Sequence, residues 1–384
     1  MFDFYKEALG LEAEASLLRR HLHENPEVSF CEYKTCAFIR EKLTGIGIPF
    51  ESAGDTGTIA VINKGKSGPV LALRADIDAL EINEKTDILF KSKNPGVMHA
   101  CGHDAHTAAL LCAAKMLYHH SNEIPGTVKL IFQPAEETGF GALKTIETGL
   151  LHDVDAFFGI HVNPDFPVGK IGVKSGGVMA GSNSLIINIK GKSGHGGYPN
   201  RTVDAIAAGS ELVEALQHIV SREIGPTEQA VISVCQFHAG TRDNIIAGEA
   251  QLSGTVRVTN EEMRSYVADA IRRIAGGIAL AHRVEAEVIC DPVTLVMYNA
   301  PELYGAALKA AQWVIKDSPE DFTPQMGTED FSRYSQLAPV FFAFVGSGGG
   351  FPLHSDHFYL DEGAVSVAAA LHTAFVYSYF EQKK

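Results

Sequence analysis

Short β-branched runs recur along this chain with helical stretches between them, and several of the runs stop on a side chain that can bind metal. The runs 57–62, 69–74, 126–132, 155–161 and 340–345 follow this plan. Strand–helix alternation predicts an α/β sheet of βαβ units, and sites in such sheets form at the carboxyl ends of the strands. Here those ends lead into Arg74-Ala75-Asp76-Ile77-Asp78, into Gln133-Pro134-Ala135-Glu136-Glu137, and onto His161. Asp76 and Asp78 share a face if their strand continues, as an orienting or metal-bridging pair. The plain alternative is a turn with two capping carboxylates. Glu136 and Glu137 are adjacent, so their side chains diverge. One can coordinate a metal while the other serves as general base, although a charge pair at a helix start has the same sequence.

The stretch His99-Ala100-Cys101-Gly102-His103-Asp104 concentrates the same chemistry. Cys101 and His103 at i and i+2 can aim at one point, and thiolate with imidazole suits zinc and neighbouring transition metals. A helix over 106–120 follows, so the dipole at its entrance is expected to help keep Cys101 as thiolate. No CxxC or HExxH spacing reinforces the reading, and a buried free cysteine beside surface histidines is the competing one. Cys101, His103, Glu137, His161 and His354 together supply five donors, enough for two metals sharing a water, and leave Glu136 as base. The glycine-rich loop 346–350 before His354 lacks the Lys-Ser/Thr of a phosphate loop.

At 384 residues the chain exceeds the ~250–300 at which a single core stops growing. The pattern changes near Gly176–Gly181. Strands at 184–190, 230–237, 245–258 and 284–290 with helices at 203–221 and 260–281 give β-α-β-β-α-β, the ferredoxin-like order. The expected division is a catalytic domain in two parts, 1–181 and 292–384, with the α+β domain 182–291 inserted. Helices are expected at 7–22, 32–45, 139–150, 301–316 and 362–380. Arg20, His21 and His23 read as a solvated helix end, with a catalytic role as the alternative.

A formal net charge of −14 argues against nucleic-acid or anionic-membrane partners. The stretch Met1–Glu7 lacks the basic and apolar regions of a signal peptide, and no uninterrupted apolar run is long enough to span a bilayer. Six cysteines without framework spacing suggest free thiols in a reducing cytoplasm.

In several motifs, in order, the chain resembles the co-catalytic di-metal family of aminoacylases, hippurate hydrolases, auxin-conjugate hydrolases and N-acetyldiaminopimelate deacetylases. The motifs are Arg20–Glu27, Arg74–Leu80, Met98–Asp104, Phe132–Glu137, Gly194-His195-Gly196, Asn244-Ile245-Ile246, Gly254–Arg257 and Glu329-Asp330-Phe331. Ala247 departs from the proline common in relatives, which touches loop rigidity only. The resemblance implies a mixed-sheet metallopeptidase-type catalytic domain with an inserted lid and dimerisation domain. It implies two divalent ions (Zn, Mn, Co or Ni) on Cys101, His103, Glu137, His161 and His354. Glu136 would be general acid/base, with Asp76 and His195 completing the catalytic set and Asn244 and Arg257 reaching the substrate. The implied reaction is hydrolysis of the amide of a small N-acyl amino acid, in a homodimer or higher homo-oligomer whose His195 enters the neighbouring site. A dipeptidase or carboxypeptidase would use the same metals and base. A metal-dependent binding protein and a non-metal α/β protein with buried histidines are the remaining readings.

Overall fold

The computed structural model describes residues 3–383, so Met1 and Phe2 of the amino-terminal stretch read above, and Lys384, lie outside it. The chain divides into two units, one comprising the residues up to Gly176 with Tyr298–Thr323 and the segment from Asp330 onward, the other Gly177–Met297 with Pro324–Glu329.

The first unit is built on an eight-stranded mixed sheet. Strands β1 (Phe50–Ala53) and β2 (Gly57–Ile62) form an antiparallel hairpin at one side. Strands β3 (Val70–Asp76), β4 (Thr127–Gln133) and β5 (Ala156–Asn163) are the inner strands, in the order β4-β3-β5. These three pair in parallel, and Val340–Gly346 adds to β5 in the same sense. Nearly every residue of β3, β4 and β5 is buried, as expected of strands whose sheet is covered on both faces. The covering helices include α1 (Phe4–Gly10), α2 (Glu12–Glu24), α3 (Tyr33–Ile46) and α4 (His103–His119). The final helix, Gly363–Gln382, is long and apolar enough to cross a membrane by length and composition, but 89% of that apolar window is buried inside the protein. It is a core helix, with Phe375 stacked on Phe158 of β5 at 3.9 Å.

The expected elements are present with shifted ends. The helix expected over 7–22 is broken at Leu11 into α1 and α2. The one expected over 139–150 contracts to Gly141–Glu147 behind a 3₁₀ turn at Glu136–Thr138. The stretch 81–97 is an irregular loop, closed where Leu80 and Met98 exchange backbone hydrogen bonds of 3.0 and 2.9 Å.

In the second unit a four-stranded antiparallel sheet runs Ala230–Ala239, Glu249–Val258, Gly181–Lys190, Glu285–Thr294. Helices Ala205–His218 and Glu261–His282 supply the other half of its core, around Leu185, Ile187, Leu212, Leu216, Val267 and Ile271. Sequence order and pairing are those of a ferredoxin-like sheet. Pro324–Glu329, expected to belong with the carboxyl-terminal segment, instead joins this unit. Gln325 and Gly327 accept or donate backbone hydrogen bonds at 3.0 Å with Val178 and Ala180.

Candidate metal centre

The parallel register of the inner strands brings their ends to one edge. Asp76 of β3 lies opposite Gln133 of β4, and His161 of β5 lies opposite Phe344. Chain leaving that edge carries Asp78, Glu136, Glu137 and, after the glycine-rich loop, His354. The Cys101–His103 hairpin bend enters at the start of α4. Its pivot must be glycine: Gly102 has φ +83°, and a Cβ there would sit 2.4 Å from the Val162 side chain.

The five expected donors converge within this unit. Cys101 Sγ lies 3.4 Å from His161 Nε2, His354 Nε2 lies 3.5 Å from Glu137 Oε1, and His103 Nε2 lies 3.9 Å from that same oxygen. Among the described residues, donor atoms lie within 4.8 Å of one another in Cys101, His103 and His161; in Cys101, Glu137 and His354; in His103, Glu136 and Glu137; and also in Asp76, His103 and His106 and in Glu136, Glu329 and Asp330. The first two share Cys101, an arrangement that suits two neighbouring ions.

The surrounding hydrogen bonds orient each imidazole. His103 Nδ1 lies 3.0 Å from the Asp78 carbonyl and 3.2 Å from its carboxylate, both acceptors, so this nitrogen carries a proton and Nε2 faces the cluster. His161 Nδ1 donates to Val162 O at 2.7 Å, again leaving Nε2 inward. His103 Nε2 and Glu137 Oε1 are buried without a hydrogen-bond partner. Two orphaned polar atoms of opposite preference, side by side with a thiol, fit a divalent cation better than any internal pairing.

Burial by itself would lower the pKa of His103, but Asp76, Asp78 and Glu137 outweigh it and push it up to about 10. Burial, then the carboxylates of Glu137 and Glu136, raise Cys101 well above an ordinary thiol. This corrects the expectation of a thiolate held by the helix entrance. Cys101 does precede the amino end of α4, whose cap is Gly102. Without a bound cation these surroundings favour the neutral thiol over the thiolate expected there. His161 is held neutral chiefly by burial.

Asp76 is fully buried. It accepts from Arg74 Nη1 at 2.6 Å and from His106 Nδ1 at 2.6 Å, and its Oδ2 lies 3.6 Å from His103 Nε2. Val162 N–H donates to His106 Nε2 at 2.9 Å, so His106 is the neutral Nδ1–H tautomer, joining β3, α4 and β5. Sequence reading passed over His106, which looks like one more helix residue. It also misjudged His23, expected at a solvated helix end. His23 is fully buried and bonds Asp104 at 2.8 Å. Buried Arg19 donates to that same carboxylate oxygen at 2.9 Å, beneath the Cys101–His103 bend.

His195, Asn244 and Arg257 belong to the second unit. His195 is exposed and its Nδ1 accepts from Gly197 N–H at 3.0 Å; Asn244 O accepts from Gly196 N–H at 2.8 Å. Arg257 is half-buried, donating to its neighbour Val256 O at 3.4 Å.

An α/β sheet with a buried thiol, imidazole and carboxylate cluster at its strand ends defines a protein of metallohydrolase type. Residues 72–378 match the model of peptidase family M20/M25/M40, and the chain belongs to that family. It is 43% identical to an N-acetylcysteine deacetylase of Bacillus subtilis over 92% of this chain and 93% of that one. It is 39% identical to thermostable carboxypeptidase 2 of Saccharolobus solfataricus, over 92% of each. A Bacillus subtilis protein whose crystal structure is described as a dinuclear metal binding peptidase of the M20 family superposes with a TM-score of 0.88. It is 38% identical and the match covers 97% of this chain and 99% of that one.

Proposed function

We propose that this chain is a metal-dependent amidohydrolase that cleaves the N-acyl bond of N-acyl amino acids to a carboxylate and a free amino acid. The observation that carries this reading is the five-donor cluster, with Cys101, His103 and His161 buried, Glu137 half-buried and His354 at the exposed side, and with His103 Nε2 and Glu137 Oε1 orphaned beside Glu136. Cys101, His103, Glu137, His161 and His354 would hold two divalent ions, which supply polarisation of the amide carbonyl and acidification of the attacking water. Glu136 takes the proton from that water and delivers it to the leaving nitrogen. The Asp330 N–H, 3.4 Å from Glu136 Oε1, helps fix its direction. Asp76 is read as a positioning residue, because it is enclosed by Arg74 and His106.

For His195, Asn244 and Arg257 the support is chemical type and the family resemblance. A guanidinium fork matches a substrate carboxylate, and an exposed imidazole can donate to a developing oxyanion. In a homodimer that imidazole would serve the partner's site. The six free thiols support a reducing, cytoplasmic setting. A carboxypeptidase or dipeptidase reading uses the same centre, and the similarity to the archaeal carboxypeptidase favours keeping it as the second reading.

The test is a panel of N-acetyl, N-benzoyl and long-chain N-acyl amino acids, their carboxamides, and free dipeptides, assayed after reconstitution with Mn²⁺ or Zn²⁺. Turnover of N-acyl amino acids that a chelator abolishes and metal restores is expected. Arg257→Lys should raise KM for the acids more than for the carboxamides. Preference for free dipeptides would favour the second reading, and metal-independent turnover would contradict both.

A further inference from the structure

The turn that presents Glu136 and Glu137 starts from an unfavourable backbone state. Ala135 has φ +55° and ψ 38°, a left-handed conformation that crowds any side chain with a Cβ and persists only where neighbours fix it. Part of the hold is local: Gly141 N–H and Thr138 Oγ1 donate to Ala135 O at 3.2 and 2.8 Å. The rest comes from a segment about a hundred residues upstream. Glu32, at the start of α3, is fully buried. Its Oε1 accepts from Ala135 N–H at 2.8 Å and from Phe30 N–H at 3.0 Å, and its Oε2 accepts from Thr56 Oγ1 at 2.7 Å. From the same segment, Ser29 Oγ donates to Asp78 Oδ2 at 2.7 Å, the oxygen that accepts Glu137 N–H at 3.1 Å. Residues 29–32 therefore grip the Glu136–Glu137 turn at the peptide before it and, through Asp78, at its middle.

We propose that Glu32 is a positioning residue for hydrolysis, holding Ala135 in its left-handed state and so fixing the separate directions of Glu136 and Glu137. The inference rests on the reading of Glu136 as base and Glu137 as ligand given above. If Ala135 relaxes to negative φ, the short 3₁₀ turn swings as a body. Both carboxylates then leave their places together, and a displacement of about 1 Å is enough to cost roughly a hundredfold in rate.

Four variants test this: Glu32→Ala, Glu32→Gln, Thr56→Val and the double variant Glu32→Ala/Ala135→Gly. Glu32→Ala should lower kcat by about 10- to 100-fold with KM within about threefold. Glu32→Gln keeps an acceptor for the Ala135 N–H and should retain most of the activity. Thr56→Val leaves that hydrogen bond intact, so it should lower the melting temperature and leave kcat alone. The double variant is the decisive one, because glycine adopts positive φ without steric cost. It should recover much of the kcat that Glu32→Ala loses.

A second readout needs no turnover. Calorimetric titration of the metal-stripped chain with Mn²⁺ should show about tenfold or greater weakening in Glu32→Ala, reversed by the added Ala135→Gly. A Glu32→Ala chain that melts lower yet keeps wild-type kcat and metal affinity would overturn the proposal, as would losses that Ala135→Gly does not recover. If the wild-type chain turns over no N-acyl amino acid, the functional reading fails, and the titration still decides the role of Glu32.

Discussion

Glu136 and Glu137 are neighbours in sequence with different surroundings. Glu136 is mostly buried and lies against the Asp330 amide, whereas Glu137 offers an orphaned oxygen to His103 and His354. Glu136→Gln should therefore keep its metal and lose turnover by about 10²–10⁴-fold, the usual scale of general acid–base help. Glu137→Gln should bind metal more weakly, as read by elemental analysis after dialysis. Equal metal loss in both variants would contradict this division. At this scale the sequence made the donor types and their order legible, because Cys101, His103, Glu137, His161 and His354 each stand out as chemistry. The protonation of Cys101 was not legible. It depends on burial and on Glu137 and Glu136, which only folding brings near.

Among the elements, the bend that carries Cys101 and His103 is anchored from beneath by α2. Arg19 and His23 both bond Asp104, and His23 Nε2 lies 3.3 Å from Glu84. Burial would raise the Asp104 pKa, but Arg19 and His23 hold it well below the ordinary carboxylate range. Its stabilising contribution is then fully present above the unfolded value of about 4 and is lost as pH falls further, through the folded value. His23, raised by Asp104 against the opposing effect of burial, contributes below about pH 6.5 and fades as pH climbs past its folded value. Asp104→Asn removes the nearer partner of buried Arg19, leaving Glu362 Oε1 at 3.4 Å from Nη1, and should cost up to about 3–5 kcal/mol near neutrality. Thermal melts of both chains from pH 3 to 8 check this. The gap should narrow as pH falls below about 4, and a gap that stays constant there would contradict this linkage. None of this was visible in sequence. A helix end rich in Arg and His reads as solvated until the loop 81–97 and Asp104 are seen to enclose it.

For the whole molecule, strand–helix alternation gave the sheet and its functional edge, since continuous apolar runs such as 127–133 have few other uses. The antiparallel β1–β2 hairpin at the sheet's side and the attachment of Pro324–Glu329 to the second unit left no periodic signal, because each depends on backbone pairing between distant segments. At neutral pH, without a bound cation, Cys101 and His103 both retain protons, by the directions of their shifts. Metal must displace both, so affinity should rise with pH. The most direct measurement is a titration of the metal-stripped chain with Mn²⁺ or Zn²⁺ at several pH values, with proton release recorded. The account predicts two ions per chain, bound more tightly as pH rises and releasing protons on binding. One ion per chain with full activity, or two ions bound with no proton release and no pH dependence, would contradict it.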